Sequence, residues 1–119
     1  MKGRFRRCMH GFMGTDLLMP AILVILKKEP THGYSLLEKL SEIGLNLSFF
    51  HPSILYRTLR AMEIQGLVSS NWDVQTNGPA RRIYSITEIG EDFLEKWCST
   101  VTENIQLIQK IIDMAKGGE

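Results

Sequence analysis

Between Ser53 and Gly90 a short helical pattern runs directly into two strand-like segments, and this order constrains the fold more than any other feature of the chain. Leu55, Leu59 and Met62 recur at i, i+4 and i+7, which gives a helix over 53–63 one buried stripe. Pro52 suits the first turn, where its missing N–H leaves no helical bond unmade. Ser53, Tyr56, Arg57 and Arg60 fall on other faces and can reach outward. The helix gives way at Gly66-Leu67-Val68. Residues 67–72 and 82–86 then read as strands, the second alternating Ile83 and Ser85 with Tyr84 and Ile86. Residues 73–81 form the tip, a turn at Asn77-Gly78-Pro79 followed by Arg81 and Arg82. A helix with a basic outer face, followed by a hairpin with a basic tip, is the sequence form of a winged helix-turn-helix.

The flanking segments fit that frame. Leu17, Leu18, Ala21, Ile22, Val24, Ile25 and Leu26 make a first helix, ending near Lys28, that is apolar nearly all round and belongs in the core. Thr15 or Asp16 can cap it, Pro20 sits in its first turns, and Glu29-Pro30 ends it. Thr31-His32-Gly33-Tyr34 is expected to open a second helix reaching about Ile43. Its inward face would be Tyr34 or Leu36, with Leu37 and Leu40, and Gly44 is placed as its stop. Trp72, in the first wing strand, is expected to pack beneath the hairpin.

Thr87 can cap a last helix whose first turn carries acid, the charge that suits a positive helix end. No proline interrupts 88–116, so this helix is much longer than average and outruns a small core. Leu94, Trp97, Val101, Asn104, Ile108, Ile111 and Ala115 follow spacings of three and four, and Ile105 and Ile112 widen the stripe. That is a seam for a second helix, with Asn104 as a polar position able to fix register. The expected fold is therefore mainly α with a small β-hairpin. It comprises a basic flexible arm at 1–14, a winged helix-turn-helix domain at 15–87 and a dimerisation helix at 88–116.

A length of 119 residues suits one domain with its own core. The net charge of +1 hides an asymmetry. Lys2, Arg4, Arg6 and Arg7 face no acid in the arm, whereas Glu88, Glu91, Asp92, Glu95, Glu103, Asp113 and Glu119 outnumber three lysines after residue 86. One side is thus suited to phosphate and another is not. The apolar run 17–26 is far short of a bilayer span, and the N-terminus lacks the apolar stretch of a secretory signal. With only Cys8 and Cys98, no disulfide scaffold is indicated, and the chain is read as cytoplasmic, with no membrane partner.

Enzymatic chemistry has no support: there is no paired nucleophile and base, no glycine-rich phosphate loop and no H-x-x-x-H. Cys8 and His10 make one local pair of metal-ligating residues, with His32, His51 and Cys98 elsewhere. A tetrahedral site needs three or four converging ligands, so no metal and no cofactor is expected. DNA binding needs less. The major groove admits one helix, guanine edges accept a bidentate arginine, and Ser, Tyr and Arg side chains on phosphate fix the register. Ser53, Tyr56, Arg57 and Arg60 have that chemistry on the third helix. Arg81 and Arg82 have it on the wing, where a guanidinium can enter the minor groove or meet phosphate. Strand alternation points these two arginines to opposite sides. Two alternatives stand beside this reading: a winged-helix module that binds a protein instead of DNA, and a metal- or thiol-responsive regulator using Cys8 and His10.

Residues 17–90 resemble the PadR-like transcriptional regulators. The matching pieces are His32-Gly33-Tyr34, Leu55-Tyr56-Arg57-x-Leu59, Glu63-x-x-Gly66-Leu67-Val68, Gly78-Pro79-x-Arg81-Arg82-x-Tyr84 and Thr87-x-x-Gly90. The resemblance implies a homodimer of winged helices joined through the C-terminal helices, of the short subfamily with a single such helix. It implies a repressor that occupies a pseudo-palindromic double-stranded operator and leaves it when an effector binds. It also implies that Tyr34, Tyr56, Arg57 and the wing arginine positions face DNA. Some relatives stack flat aromatic ligands between tryptophans at a dimer pore. Trp97 is therefore the candidate contact for a small hydrophobic or aromatic effector, although its position does not obviously match theirs, and an indole on such a stripe is more often interface core. The arm with Cys8-Met9-His10 has no place in the family pattern.

Overall fold

The computed structural model describes residues 17–45, 52–74 and 78–117. Helix α1, Leu18–Lys28, supplies the centre of the core: Leu18, Ile22, Leu23 and Leu26 are buried, while Val24 faces out. Its N-cap position is Leu17, whose side chain caps nothing; Thr15 and Asp16 lie outside the described residues. The chain turns extended at Glu29, ahead of Pro30, because the residue before a proline is driven out of the helical region.

The next two residues depart from expectation. Thr31–His32 is a short strand, β1, and helix α2 begins only at Gly33, running Gly33–Glu42. Thr31 lies opposite Tyr84 and His32 opposite Ile83, so the expected hairpin is a three-stranded antiparallel sheet in the order β1-β3-β2. Strands β2, Val68–Asp73, and β3, Arg81–Ile86, pair from Val68 opposite Ile86 to Asp73 opposite Arg81. In α2, Leu36 and Leu40 face the core and Tyr34 faces solvent. Its end is closed by Gly44 at φ +106°: the Gly44 N–H donates to the Ser41 carbonyl at 3.1 Å and the Leu45 N–H to the Leu40 carbonyl at 3.0 Å. This is the left-handed glycine cap that satisfies the last carbonyls of a helix.

Helix α3, Pro52–Ile64, buries Leu55, Leu59 and Met62, the stripe read from the sequence. Gly66, at φ +84°, and Leu67 close it with the same pair of bonds. Leu67 and Val68 then enter the core, which α1, α2, α3, the sheet and Leu94 of the last helix enclose together.

Helix α4, Glu88–Ala115, is locked to the end of α3. The Thr87 hydroxyl accepts the Gly90 N–H at 3.0 Å, and its own proton is shared between the carbonyls of Gly66 at 2.5 Å and Leu67 at 3.0 Å. The Thr87 N–H also donates to the Leu67 carbonyl, at 3.1 Å. Gly90 allows this approach, for a Cβ there would run into the Leu67 carbonyl oxygen. Only the first part of α4 covers the core. Leu94 is 4% exposed and Trp97 packs partly against the cluster, whereas every residue from 102 to 117 is exposed.

Candidate nucleic-acid interface

Ser53, Arg57 and Arg60 recur at i, i+4 and i+7 on α3, opposite the buried stripe, and all three are exposed. The periodicity that sinks Leu55, Leu59 and Met62 into the core therefore aims these polar groups outward. Tyr56 borders this stripe and is 43% exposed. Its ring lies against Gly33, where an added Cβ would stand 2.6 Å from a ring carbon. The absence of a side chain at Gly33 thus lets Tyr56 bridge from α3 to the first turn of α2. Tyr34, in that same turn, is 64% exposed. Tyr34, Tyr56, Arg81 and Arg82 border one hollow together with His32 and Tyr84. The structure thus gathers on one side most of the residues that the sequence proposes for DNA.

The two wing arginines differ in their surroundings. Arg82 belongs to the face of β3 that carries Tyr84 and looks toward α3. Its guanidinium lies over the Trp72 ring, 4.9 Å from the centroid, and donates to the Ser70 hydroxyl at 2.9 Å. It also stands 3.5 Å from a Glu63 carboxylate oxygen, and the Ser70 hydroxyl donates to the other oxygen of that carboxylate at 2.8 Å. Glu63, near the end of α3, is thereby tied to the wing. Arg81 makes no ion pair among the described residues. Trp72 is not packed beneath the hairpin: it is 58% exposed, with Arg82 covering one face. No local sequence pattern signals the Glu63–Ser70–Arg82 arrangement. It follows from the register, which places Trp72 opposite Arg82 and Ser70 opposite Tyr84 on one face of the sheet.

His32 precedes α2 in extended conformation and approaches Asp73 within 3.5 Å, which joins β1 to β2 across β3. Tyr84 is 8% exposed. Burial raises the pKa of its hydroxyl above the usual 10.0, against the opposing pull of Arg82 and Arg60.

On α4, Ile105, Ile108, Ile111 and Ile112 expose apolar surface along the helix, Asn104 is exposed beside them, and Val101 is half-buried. Leu94 is already covered by its own chain. Trp97 joins Leu17, Pro20, Ala21, Val24 and Ile43 around a shallow apolar hollow between α1 and the end of α2. Cys8, His10 and His51 lie outside the described residues. Among the described residues, no group of three or more His, Cys, Asp or Glu side chains could hold a metal ion, and no helix is long and apolar enough to cross a membrane.

Comparison with known proteins agrees with this architecture. The chain is 35% identical over 78 residues to a Mycobacterium tuberculosis protein described as a probable transcriptional regulator, an alignment covering 65% of this chain and 41% of that protein. The chain thus spans about two-fifths of that relative's length. A PadR-like transcriptional regulator from Bacillus cereus superposes with a TM-score of 0.71 at 26% identity, covering 82% of this chain and 93% of the other. Bacillus subtilis PadR, solved in complex with operator DNA, superposes with a TM-score of 0.59 at 25% identity, covering 69% of this chain and 45% of the other. Residues 22–96 match the model of the transcriptional regulator PadR-like family, and the chain belongs to that family of regulators, which are not enzymes.

Proposed function

We propose that this protein is a sequence-specific, dimeric repressor that binds a pseudo-palindromic DNA operator in the cytoplasm. The observation that carries the reading is the convergence of Tyr34, Tyr56, Arg81 and Arg82 around one hollow beside the exposed Ser53, Arg57 and Arg60 of α3. Helix α3 enters the major groove, with Arg57 and Arg60 toward base edges and Ser53 toward phosphate. Tyr34 and Tyr56 meet the backbone, and the wing grips the flanking strand. The functional division is a basic arm at 1–14, a DNA-binding unit at 15–87 and a pairing helix at 88–116.

The exposed row of Ile105, Ile108, Ile111 and Ile112 supports pairing through α4, with Val101 and Asn104 at its start and the half-buried Trp97 at its root, while Leu94, expected in the seam, is used by the chain's own core. A chain that leaves four isoleucines in water along one helix gains by covering them with a second copy. Two copies so joined set half-sites about one helical turn, roughly 10 bp, apart. The apolar hollow beside Trp97 suits a small hydrophobic or aromatic effector, whose binding would shift α4 against α1 and change that spacing.

The test is selection of genomic fragments with the purified protein, followed by binding of the recovered duplexes across a range of salt. Recovered sites should share a pseudo-palindrome. Arg57→Ala should reduce discrimination at one base position by about 1–3 kcal/mol. Binding without sequence preference or salt dependence would replace this reading with that of a protein-interaction module.

A further inference from the structure

We propose that the hollow between the start of α2 and strand β3 is a seat for one DNA phosphate, in which the Tyr84 hydroxyl donates a hydrogen bond beside Tyr56 and the first N–H groups of α2. This rests on the DNA-binding reading above and adds a residue to it. Three observations converge. Helix α2 starts without help: His32 makes no side-chain cap and the first turn holds no acid. The N–H groups of that turn therefore keep the partial positive charge of a helix start, which favours an anion.

The second observation is Tyr84 itself. Its ring is buried among the core leucines, yet its hydroxyl has no hydrogen-bond partner among the described residues. No buried side-chain polar atom among these residues is left sealed without a partner, so the hydroxyl must open to solvent, and the hollow that Tyr84 lines is where it opens. A phenylalanine would fill the core equally well. Placing a hydroxyl at the end of a buried ring is unfavourable unless something accepts its proton.

The third observation is the surrounding charge. Arg82 and Arg60 act on Tyr84, as do Glu63 and Tyr56, and the Glu63 carboxylate is itself held 3.5 Å from the Arg82 guanidinium. Arg81 borders the same hollow. A phenol whose pKa lies above the usual 10.0 is protonated, and so a donor, throughout the neutral range. The hollow thus offers hydroxyl donors, a helix start and guanidinium groups to one anion. A phosphodiester, with two acceptor oxygens and one charge, fits that set, and Tyr34 and Tyr56 place the hollow on the side proposed to face the duplex.

The test uses the full chain and a short duplex recovered by the genomic selection. Tyr84→Phe keeps the ring and removes the hydroxyl. It should bind that duplex and an unrelated one about tenfold more weakly, the scale of one hydrogen bond to a charged group. Its salt dependence should match the wild type, because no charge is lost, whereas Arg81→Ala should flatten it. Neutral methylphosphonate linkages, placed one at a time along the duplex, should reveal a position that weakens the wild type but not Tyr84→Phe. Wild-type affinity in the variant, or equal losses for both proteins at every linkage, overturns the seat and leaves DNA binding standing. The linkage comparison decides even if the variant is less stable. A wild type that binds no duplex overturns the DNA-binding reading itself and the seat with it.

Discussion

Gly90→Ala sets local preference and tertiary contact in direct opposition. Gly90 lies in the first turn of α4, where alanine is intrinsically better than glycine by about 1 kcal/mol. On propensity alone the variant should be the more stable protein. The structure reverses the sign. The new methyl would collide with the Leu67 carbonyl oxygen, stand 3.2 Å from the Leu67 carbonyl carbon and come within 2.8 Å of Ile86 Cγ1. The carbonyl is poorly placed to yield, since it accepts the Thr87 N–H at 3.1 Å and the Thr87 hydroxyl at 3.0 Å. Helix α4 has to move off instead. Overpacking of this kind costs about 1–3 kcal/mol, and loosening the Thr87 cap adds about 0.5–2 kcal/mol. Against the propensity gain, the net destabilisation is about 2 kcal/mol, which for a chain of this size lowers Tm by roughly 8 °C. Thermal unfolding followed by circular dichroism measures it, with both proteins at one concentration because association of copies raises apparent stability. A variant melting at or above the wild-type temperature would mean that α4 does not rest on the Leu67 carbonyl.

Gly33→Ala tests a looser contact: the Tyr56 ring can swing away, so stability should change by less than about 1 kcal/mol, while DNA affinity falls because Tyr56 leaves α2; unchanged affinity would remove Tyr56 from the interface. Arg81→Ala should reduce the slope of log K against log salt by about 0.9, and Arg82→Ala by less, because Glu63 stands 3.5 Å from that guanidinium; the reverse order in a salt titration would show that Arg82 is the freer charge. Ile108→Asp places a carboxylate in the proposed seam and should give monomers in sedimentation; a dimer with unchanged melting would place the interface elsewhere. Tyr84 has a raised pKa, so the stability it lends is complete below pH 10.0 and is lost as pH climbs through the folded value; urea titrations should show this alkaline loss diminished in Tyr84→Phe.

Much of this was legible in the chain. The spacing of Leu55, Leu59 and Met62 located both faces of α3, because a period near 3.6 that buries one stripe exposes the opposite one. Gly44 marked the end of α2, and Thr87 marked the start of α4, because capping depends on neighbours a few residues away. The strand β1 was not legible. Two residues show no alternation, and their partners Tyr84 and Ile83 lie about fifty positions along the chain. The place of Trp72 is hidden for the same reason: it follows from Arg82, which only the register sets opposite it.

Short-range pattern set the order and type of the helices, the β2–β3 hairpin and the basic residues it carries, since periodicity, caps and turns act over a few residues. How those residues are used came from long-range packing. It tied Arg82 to Glu63 and Ser70, laid Tyr56 over Gly33, and turned the hydroxyl of a buried tyrosine toward the surface. These are contacts between segments far apart in the chain, and their geometry exists only once the core has fixed where each element lies.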